Sequence, residues 1–537
     1  MYQVYIRSFA DGNGDGTGDI AGLRSRLGYL RDLGVDAIWL NPWYESPLHD
    51  GGYDVADYRN IEPRYGTLAE AEALITDAHA HGIRVVTDLV PNHTSIEHAW
   101  FQEALAAEPG SPARHRYHIR PGKGPDGDEP PTNWTSVFGG SAWDRLADGE
   151  WFLHIFDHTQ PDLNWTNPEV IAEFKSIFRF WLDRGVDGFR VDVAHGLAKD
   201  MNFPDVDENP VLLANANTPD HPFWDRDELH PIVRGWRTVL DEYDQTMMVA
   251  EAWVSADRLP LYIRPDEYHQ SFNFDFLTAP WDADRMQTVL SRSIEAAEAV
   301  GAAPTWVLSN HDVVRHPTRY GLPNGTDWRS WLLDGPHHAL DAELGLRRAR
   351  AGVMLMLAIP GGVYLYQGEE LGLPEVWDLP LDVLDDPVWE QSGRKAKGRD
   401  GCRVPVPWST SGPSFGFGEN AGWLPQPDAF GALSAEAQQG VAGSTLELYR
   451  SALSIRKDCF VNDGDIEWLD APDGVIGLRR GSGAECWLNV SGDPLAIDPS
   501  QTVLLCSGEL IDGALHSNTA VWLGQLPGHR RSAPPIG

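Results

Sequence analysis

Apolar, β-prone runs recur along the chain, and each gives way to a polar cluster and then to a stretch with helical spacing. Ala37-Ile38-Trp39-Leu40, Arg84-Val85-Val86-Thr87-Asp88-Leu89, Met247-Met248-Val249-Ala250-Glu251, Thr305-Trp306-Val307-Leu308-Ser309 and Val363-Tyr364-Leu365-Tyr366 are strands by this pattern. Gln3 to Phe9 is predicted as the first strand, and Phe272-Asn273-Phe274-Asp275-Phe276, which alternates strictly, as the sixth. Leucines at 23, 27, 30 and 33 predict a helix over 21–33 that Gly34 closes, and further helices are expected over 67–81, 168–183 and 444–457. In Gly188-Phe189-Arg190-Val191-Asp192-Val193, apolar residues alternate with an arginine and a carboxylate. A strand there presents Phe189, Val191 and Val193 to one side and Arg190 and Asp192 to the other. With this segment as the fourth, the strands complete the count for an α/β fold, a (β/α)8 TIM barrel of parallel strands.

The barrel is interrupted. Residues 95–157 hold Pro/Gly-rich runs and Trp134, Trp143 and Trp151 where a strand is due, and a loop of that length is expected to be an inserted domain walling a site. Long loops at about 196–225 and 373–435 also break the regular units. The expected division is a barrel over 1–94 and 158–460, an insert over 95–157, and a C-terminal antiparallel β-sandwich over 461–537 whose last ten residues are a tail rich in Pro, Gly and Arg.

Charge narrows the partners. Lys and Arg number 42 against 79 Asp and Glu, a formal charge of −37, which opposes nucleic acid and anionic membranes and suits a neutral substrate. Four scattered cysteines, Cys402, Cys459, Cys486 and Cys506, lack zinc or redox spacing. No apolar run reaches membrane-spanning length, and the chain opens on Tyr2-Gln3-Val4 without a signal-like start. The expectation is a cytoplasmic protein, monomeric or weakly self-associating.

Asp192, Glu251 and Asp312 stand at predicted strand ends, hence on one rim. Two carboxyl groups about 5–5.5 Å apart across an anomeric carbon are the apparatus of a retaining glycosidase, with a third to hold the sugar. Arg190 would keep Asp192 ionised, while neighbouring carboxylates and the cover of Trp253 would raise Glu251. His93 and His311 have donors for sugar hydroxyls. Elsewhere, Asp11, Asn13, Asp15, Thr17 and Asp19 alternate with glycines in a loop that suits Ca2+, with Mg2+ the alternative occupant. Gly22 stands where an EF-hand needs its closing glutamate, which rejects that motif.

Four segments, Asp88-Leu-Val-Pro-Asn-His93, Gly188-Phe-Arg-Val-Asp192, Glu251-Ala-Trp and Ser309-Asn-His311-Asp312, resemble in order the hallmark regions of the α-amylase family, glycoside hydrolase family 13. Gln160-Pro-Asp-Leu-Asn164 is similar to a fifth region of its α-glucosidase and oligo-1,6-glucosidase branch. The resemblance implies Asp192 as nucleophile, Glu251 as acid/base and Asp312 as transition-state stabiliser, with Arg190, His93 and His311 around the same glucosyl ring. It further implies Asp50 and Tyr53 as end clamp and stacking platform, and Arg399 as the partner of Asp50 across the pocket from the catalytic carboxylates. Two departures stand out: the chain begins close to its first strand, and Val404-Pro-Val-Pro-Trp408 replaces the commoner Thr-Pro-Met-Gln-Trp. The expected activity is an exo-acting retaining α-glucosidase releasing glucose from short α-glucosides such as malto-oligosaccharides. An oligo-1,6-glucosidase, a transglucosylase or trehalose-forming isomerase, and a silent sugar-binding or transporter accessory protein remain alternatives.

Overall fold

A computed structural model describes residues 1–209, 220–334, 340–460, 465–491 and 493–526. Part of the long loop at 196–225, the start of the C-terminal segment at 461 and the expected tail lie outside the described residues. Eight parallel strands form one sheet: β1 (Tyr2–Val4), β2 (Ala37–Leu40), β3 (Arg84–Leu89), β4 (Gly188–Val191), β5 (Met247–Ala250), β6 (Gln270–Ser271), β7 (Thr305–Val307) and β8 (Gly362–Tyr366). Their order is β6-β5-β4-β3-β2-β1-β8-β7. The Thr305 hydroxyl donates to the Ser271 carbonyl across the β6/β7 seam, so a side chain helps to close the (β/α)8 barrel there.

Alternation along the strands sorts the interior from the helical shell. Trp39, Val86, Val249, Phe272, Val307 and Tyr364 form one apolar cluster inside the barrel. Their sequence neighbours Ile38, Val85, Met248, Trp306 and Val363 join the large core shared with the helices. One step further along the strands the inner positions turn polar: Asp88 is in register with Arg190, and Arg190 with Val249. The Arg190 guanidinium lies 5.1 Å from the Trp39 ring, so the charged layer rests directly on the apolar one.

Two predicted strands differ. The first ends at Val4, and Ile6–Ser8 makes a single tight helical turn instead of carrying the strand to Phe9. The predicted sixth strand at 272–276 is mostly helix Phe274–Thr278, because the Asn273 side chain accepts the Phe276 N–H and caps it; the paired residues are the preceding Gln270 and Ser271. The helix predicted over 21–33 breaks at Arg26 into Ile20–Ser25 and Leu27–Leu33. That over 67–81 spans Leu68–Ala80, fixed by a capping box between Thr67 and Glu70.

Within 95–157 a three-stranded antiparallel sheet (Ile119–Pro121, Glu150–Leu153, Trp143–Arg145) gathers its own core of Trp134, Trp143, Leu153 and Ile155. Phe223, Trp224 and Val193 join that core, which moors the insert to the loop after β4. At the C-terminus lie a five-stranded antiparallel sheet and a two-stranded one; the larger packs against the barrel's helices, where Trp522 donates to the Met354 carbonyl and meets Phe460 at a 50° tilt.

Candidate active site

Asp192 N–H bonds the Leu89 carbonyl at 2.8 Å and so ends the β4 ladder on the same rim as Asp88. The chain then turns sharply: Val193 has φ 45°, and its N–H donates to Glu251 Oε2 at 2.8 Å. Val193 therefore leaves the strand alternation expected for it and packs into the insert's aromatic core. Arg190, 2 % exposed, sits among three carboxylates, at 2.8 Å from Asp88, 2.5 Å from Asp192 and 3.7 Å from Glu251. Burial drives both Asp192 and Glu251 above the ordinary carboxylate range, against the pull of Arg190. One guanidinium cannot neutralise three buried acids. The closer contact of Arg190 is with Asp192, at 2.5 Å against 3.7 Å for Glu251, and it favours the charged form on Asp192. Trp253 stacks face to face on Phe274 at 3.7 Å, but it does not raise Glu251 as expected: its side chain hydrogen-bonds the Glu251 carboxyl and pulls it down, so the rise comes from burial and from the nearby Asp312 charge.

Asp312 is of opposite character. Burial would raise it, but the polar N–H of His311 and the charges of Arg399 and Arg403 hold it well below the usual range; both arginines contact Oδ1 at 3.1 Å and His311 Nε2 lies 3.3 Å from Oδ2. The tautomer of His311 follows from its partners. Gln3 Nε2 can only donate, at 2.7 Å to Nδ1, so Nε2 carries the proton and faces Tyr53 Oη at 2.7 Å. Burial keeps the ring neutral, well below the ordinary imidazole range.

The Tyr53 ring is stacked on His311 at 5.4 Å and 7°. Its hydroxyl donates to Asp88 Oδ2 at 2.9 Å and accepts from Asn41 at 2.8 Å. The loop carrying it turns at Gly52, where φ is 106° and a Cβ would stand 2.8 Å from the Pro42 carbonyl. His93 is buried beneath this loop, with Nε2 3.2 Å from the Tyr53 carbonyl. Burial pushes its ring down to about 4, so it too is neutral.

Asp50 pairs with Arg399 Nη2 at 2.7 Å and accepts from Gln160 Nε2 at 3.1 Å. Burial pushes its carboxyl up to about 7 against the pull of Arg399. The expected placement of this pair across the pocket from the catalytic carboxylates is corrected: Arg399 Nη1 also touches Asp312, so one cation joins the two. Phe138 of the insert lies under the same guanidinium at 5.3 Å.

Four further residues take part, to which the sequence alone assigns no role. Asp386 grips Arg399 at Nε, 2.6 Å, and Arg403 holds Asp312 while Nε donates to the His311 carbonyl at 2.9 Å. Asp88 is the shared acceptor of Arg190, Tyr53 and Trp39. Lys199 is fully buried, pairs with Asp162 at 2.7 Å and donates to Asn92 and to the Gly196 carbonyl. Asp386 precedes Pro387 at a helix start and is legible as an N-cap. Nothing local to Arg403 or Lys199 sets either apart.

Asp11, Asn13, Asp15, Thr17 and Asp19 lie in one loop that closes on its own N–H groups. Asp11 accepts from Asn13, Gly14 and Gly16 at 2.6–3.1 Å, Asn13 from Asp15, Asp15 from Thr17, and Asp19 from Gly12 and Gly22. Among the described residues no three His, Cys, Asp or Glu side chains converge as a metal cluster. A cation held here would draw on the Asn13 amide and on main-chain oxygens besides carboxylates. Such an oxygen-only set fits a hard ion.

Residues 3–464 match the family of the α-amylase catalytic domain. The chain is 36 % identical over 518 residues to a probable α-glucosidase of Rhizobium meliloti (strain 1021), covering 92 % of this chain and 89 % of the relative. It is 33 % identical over 490 residues to an oligo-1,6-glucosidase of Parageobacillus thermoglucosidasius, with 85 % and 82 % covered. Among solved structures, the α-glucosyl transfer enzyme XgtA superposes with a TM-score of 0.84 at 34 % identity, over 97 % of this chain and 98 % of that one. The four ordered motifs, the barrel rim on which they meet and these matches over most of the chain agree: the protein belongs to the α-amylase family of glycoside hydrolases.

Proposed function

We propose that the chain is an exo-acting, retaining α-glucosidase that releases glucose from the non-reducing ends of short α-glucosides. The observation that carries this reading is the Arg399 guanidinium, which spans Asp50 and Asp312. It puts a wall of charge, rather than an open groove, next to the carboxylates of the rim. In the proposed cycle Asp192 attacks the anomeric carbon while Glu251 gives its proton to the departing glycosidic oxygen, forming a glucosyl ester. Glu251, now a carboxylate, takes a proton from water, and the water oxygen displaces Asp192. Two inversions return the α configuration. Asp312 holds ring hydroxyls, the neutral His93 and His311 fix the Tyr53 loop and ring behind them, Tyr53 offers its face, and Arg190 stabilises the Asp192 carboxylate both before attack and as it leaves.

The same ester serves transfer when a sugar hydroxyl replaces water. The likeness to an α-glucosyl transfer enzyme makes that the second reading, and the ratio of free glucose to longer products at high substrate concentration distinguishes it.

End selection is tested at the clamp. Asp50→Ala and Arg399→Ala are each expected to lower kcat/KM by about one to two orders of magnitude, the worth of a charged hydrogen bond. The double variant should fall well short of the product of the two losses, because both remove one clamp. Soluble starch should release glucose slowly with no early fall in viscosity. Multiplying losses or rapid thinning would show an open, endo-acting groove.

For the loop of Asp11 to Asp19 we propose a structural Ca2+, remote from the reaction. Chelator should then lower Tm and leave the initial rate at low temperature unchanged, with Ca2+ restoring Tm more fully than Mg2+. An unchanged Tm removes the ion. Among the described residues no helix is long and apolar enough to cross a membrane, and a sugar substrate free in solution is in keeping with that.

A further inference from the structure

A guanidinium has two edges that accept a fork of hydrogen bonds, Nε with one Nη and the two Nη together. In Arg399 these edges are divided between two jobs. Asp386 takes the first, with Oδ2 at 2.6 Å from Nε and Oδ1 at 3.2 Å from Nη2. The second is thereby left for Asp312 on Nη1 and Asp50 on Nη2. The Asp386 side chain is completely buried. Its remaining acceptor capacity goes to the Arg399 N–H at 2.8 Å and the Val388 N–H at 3.0 Å, so it has nothing to offer a sugar. The main chain is shaped around this contact: Gly398 has φ 75°, and a Cβ there would stand 2.5 Å from Asp386 Cγ. Behind it Asp400 Oδ2 accepts the Asp385 and Asp386 N–H groups, at 2.7 and 3.1 Å.

We propose that Asp386 is a positioning residue for the glucosyl pocket, fixing the plane of Arg399 so that its free edge bridges Asp50 and Asp312. The inference rests on the reading of Arg399 as end clamp. It gives the clamp a geometric origin: with a planar fork held along one edge, the other edge can point in one direction only, and the two sugar-facing carboxylates are set at a fixed separation. Lysine, a point charge without edges, could not be aimed in this way.

The test is a cycle of Asp386→Asn, Arg399→Lys and the double variant, with kcat and KM measured on maltose and on an aryl α-glucoside. Asp386→Asn should lower kcat/KM by about 10- to 100-fold on both substrates alike, since the loss is in holding the glucosyl ring and not in leaving-group protonation. In the Arg399→Lys background, where no fork remains to be aimed, the same change should cost less than about threefold. If Asp386→Asn does not fold by thermal melt, Asp386→Glu takes its place; it keeps the charge but displaces the fork, and the same pattern is expected. Losses that multiply would mean Asp386 merely props the loop and would overturn the inference while leaving the clamp standing. Wild-type kinetics in Arg399→Lys would overturn the clamp reading and the inference with it.

Discussion

Asp192→Asn is expected to abolish turnover, lowering kcat on maltose by at least about three orders of magnitude, with substrate still bound. The amide preserves shape and one acceptor toward Arg190, whose contact with Oδ1 is 2.5 Å, but it has no charge with which to attack an anomeric carbon. An activated fluoroglucoside that slows breakdown of the ester should label the wild-type enzyme, and mass spectrometry of its peptides should find one glucosyl unit on Asp192. A label on Glu251 or Asp312, or a variant with more than a few per cent of the activity, would reassign the nucleophile.

The second large effect is at Glu251. Glu251→Gln is expected to cost about two to four orders of magnitude on maltose, whose leaving hydroxyl must be protonated. Aryl glucosides with acidic phenols should be far less affected in the step that forms the ester. The pH dependence carries the sign of the shift. Burial raises the Glu251 carboxyl, and the protonated form is the active one, so activity is present below its raised value and lost as pH rises through it. Glutamine cannot lose that proton, and the alkaline limb should vanish from the profile of the variant on aryl substrates. Equal losses on both substrate types with the limb intact would exclude the role.

Why the rim was legible in the sequence and much of its support was not comes down to range. Arg190 and Asp192 are two residues apart, and strand alternation alone puts Arg190 with Asp88 once the two strands pair. Strand ends carrying Glu251 and Asp312 place those groups on the same rim by topology. Phe272 to Phe276 misled because period-two alternation is shared by a strand and by a short helix entered through an Asn cap. Here the cap decides. The extent of the clamp was hidden because its members are far apart in the chain: Asp50 meets Arg399 across 349 positions and Arg399 meets Asp312 across 87. No local pattern reports that one guanidinium serves Asp50, Asp312 and Asp386 together. His93 shows the converse. Its motif was plain, yet what its Nε2 faces, the Tyr53 carbonyl, depends on how the Gly52 turn lays that loop over β3.

Whether one terminal glucose is held in a blind pocket and passes through an ester on Asp192 is decided by following maltotetraose hydrolysis by proton NMR from the first turnover. α-Glucose is expected as the first monosaccharide signal, with maltotriose in equal amount and maltose absent until later, and the β anomer should arise only as mutarotation proceeds. β-Glucose appearing first would contradict the two-step mechanism, and early maltose in place of glucose would contradict the blind pocket.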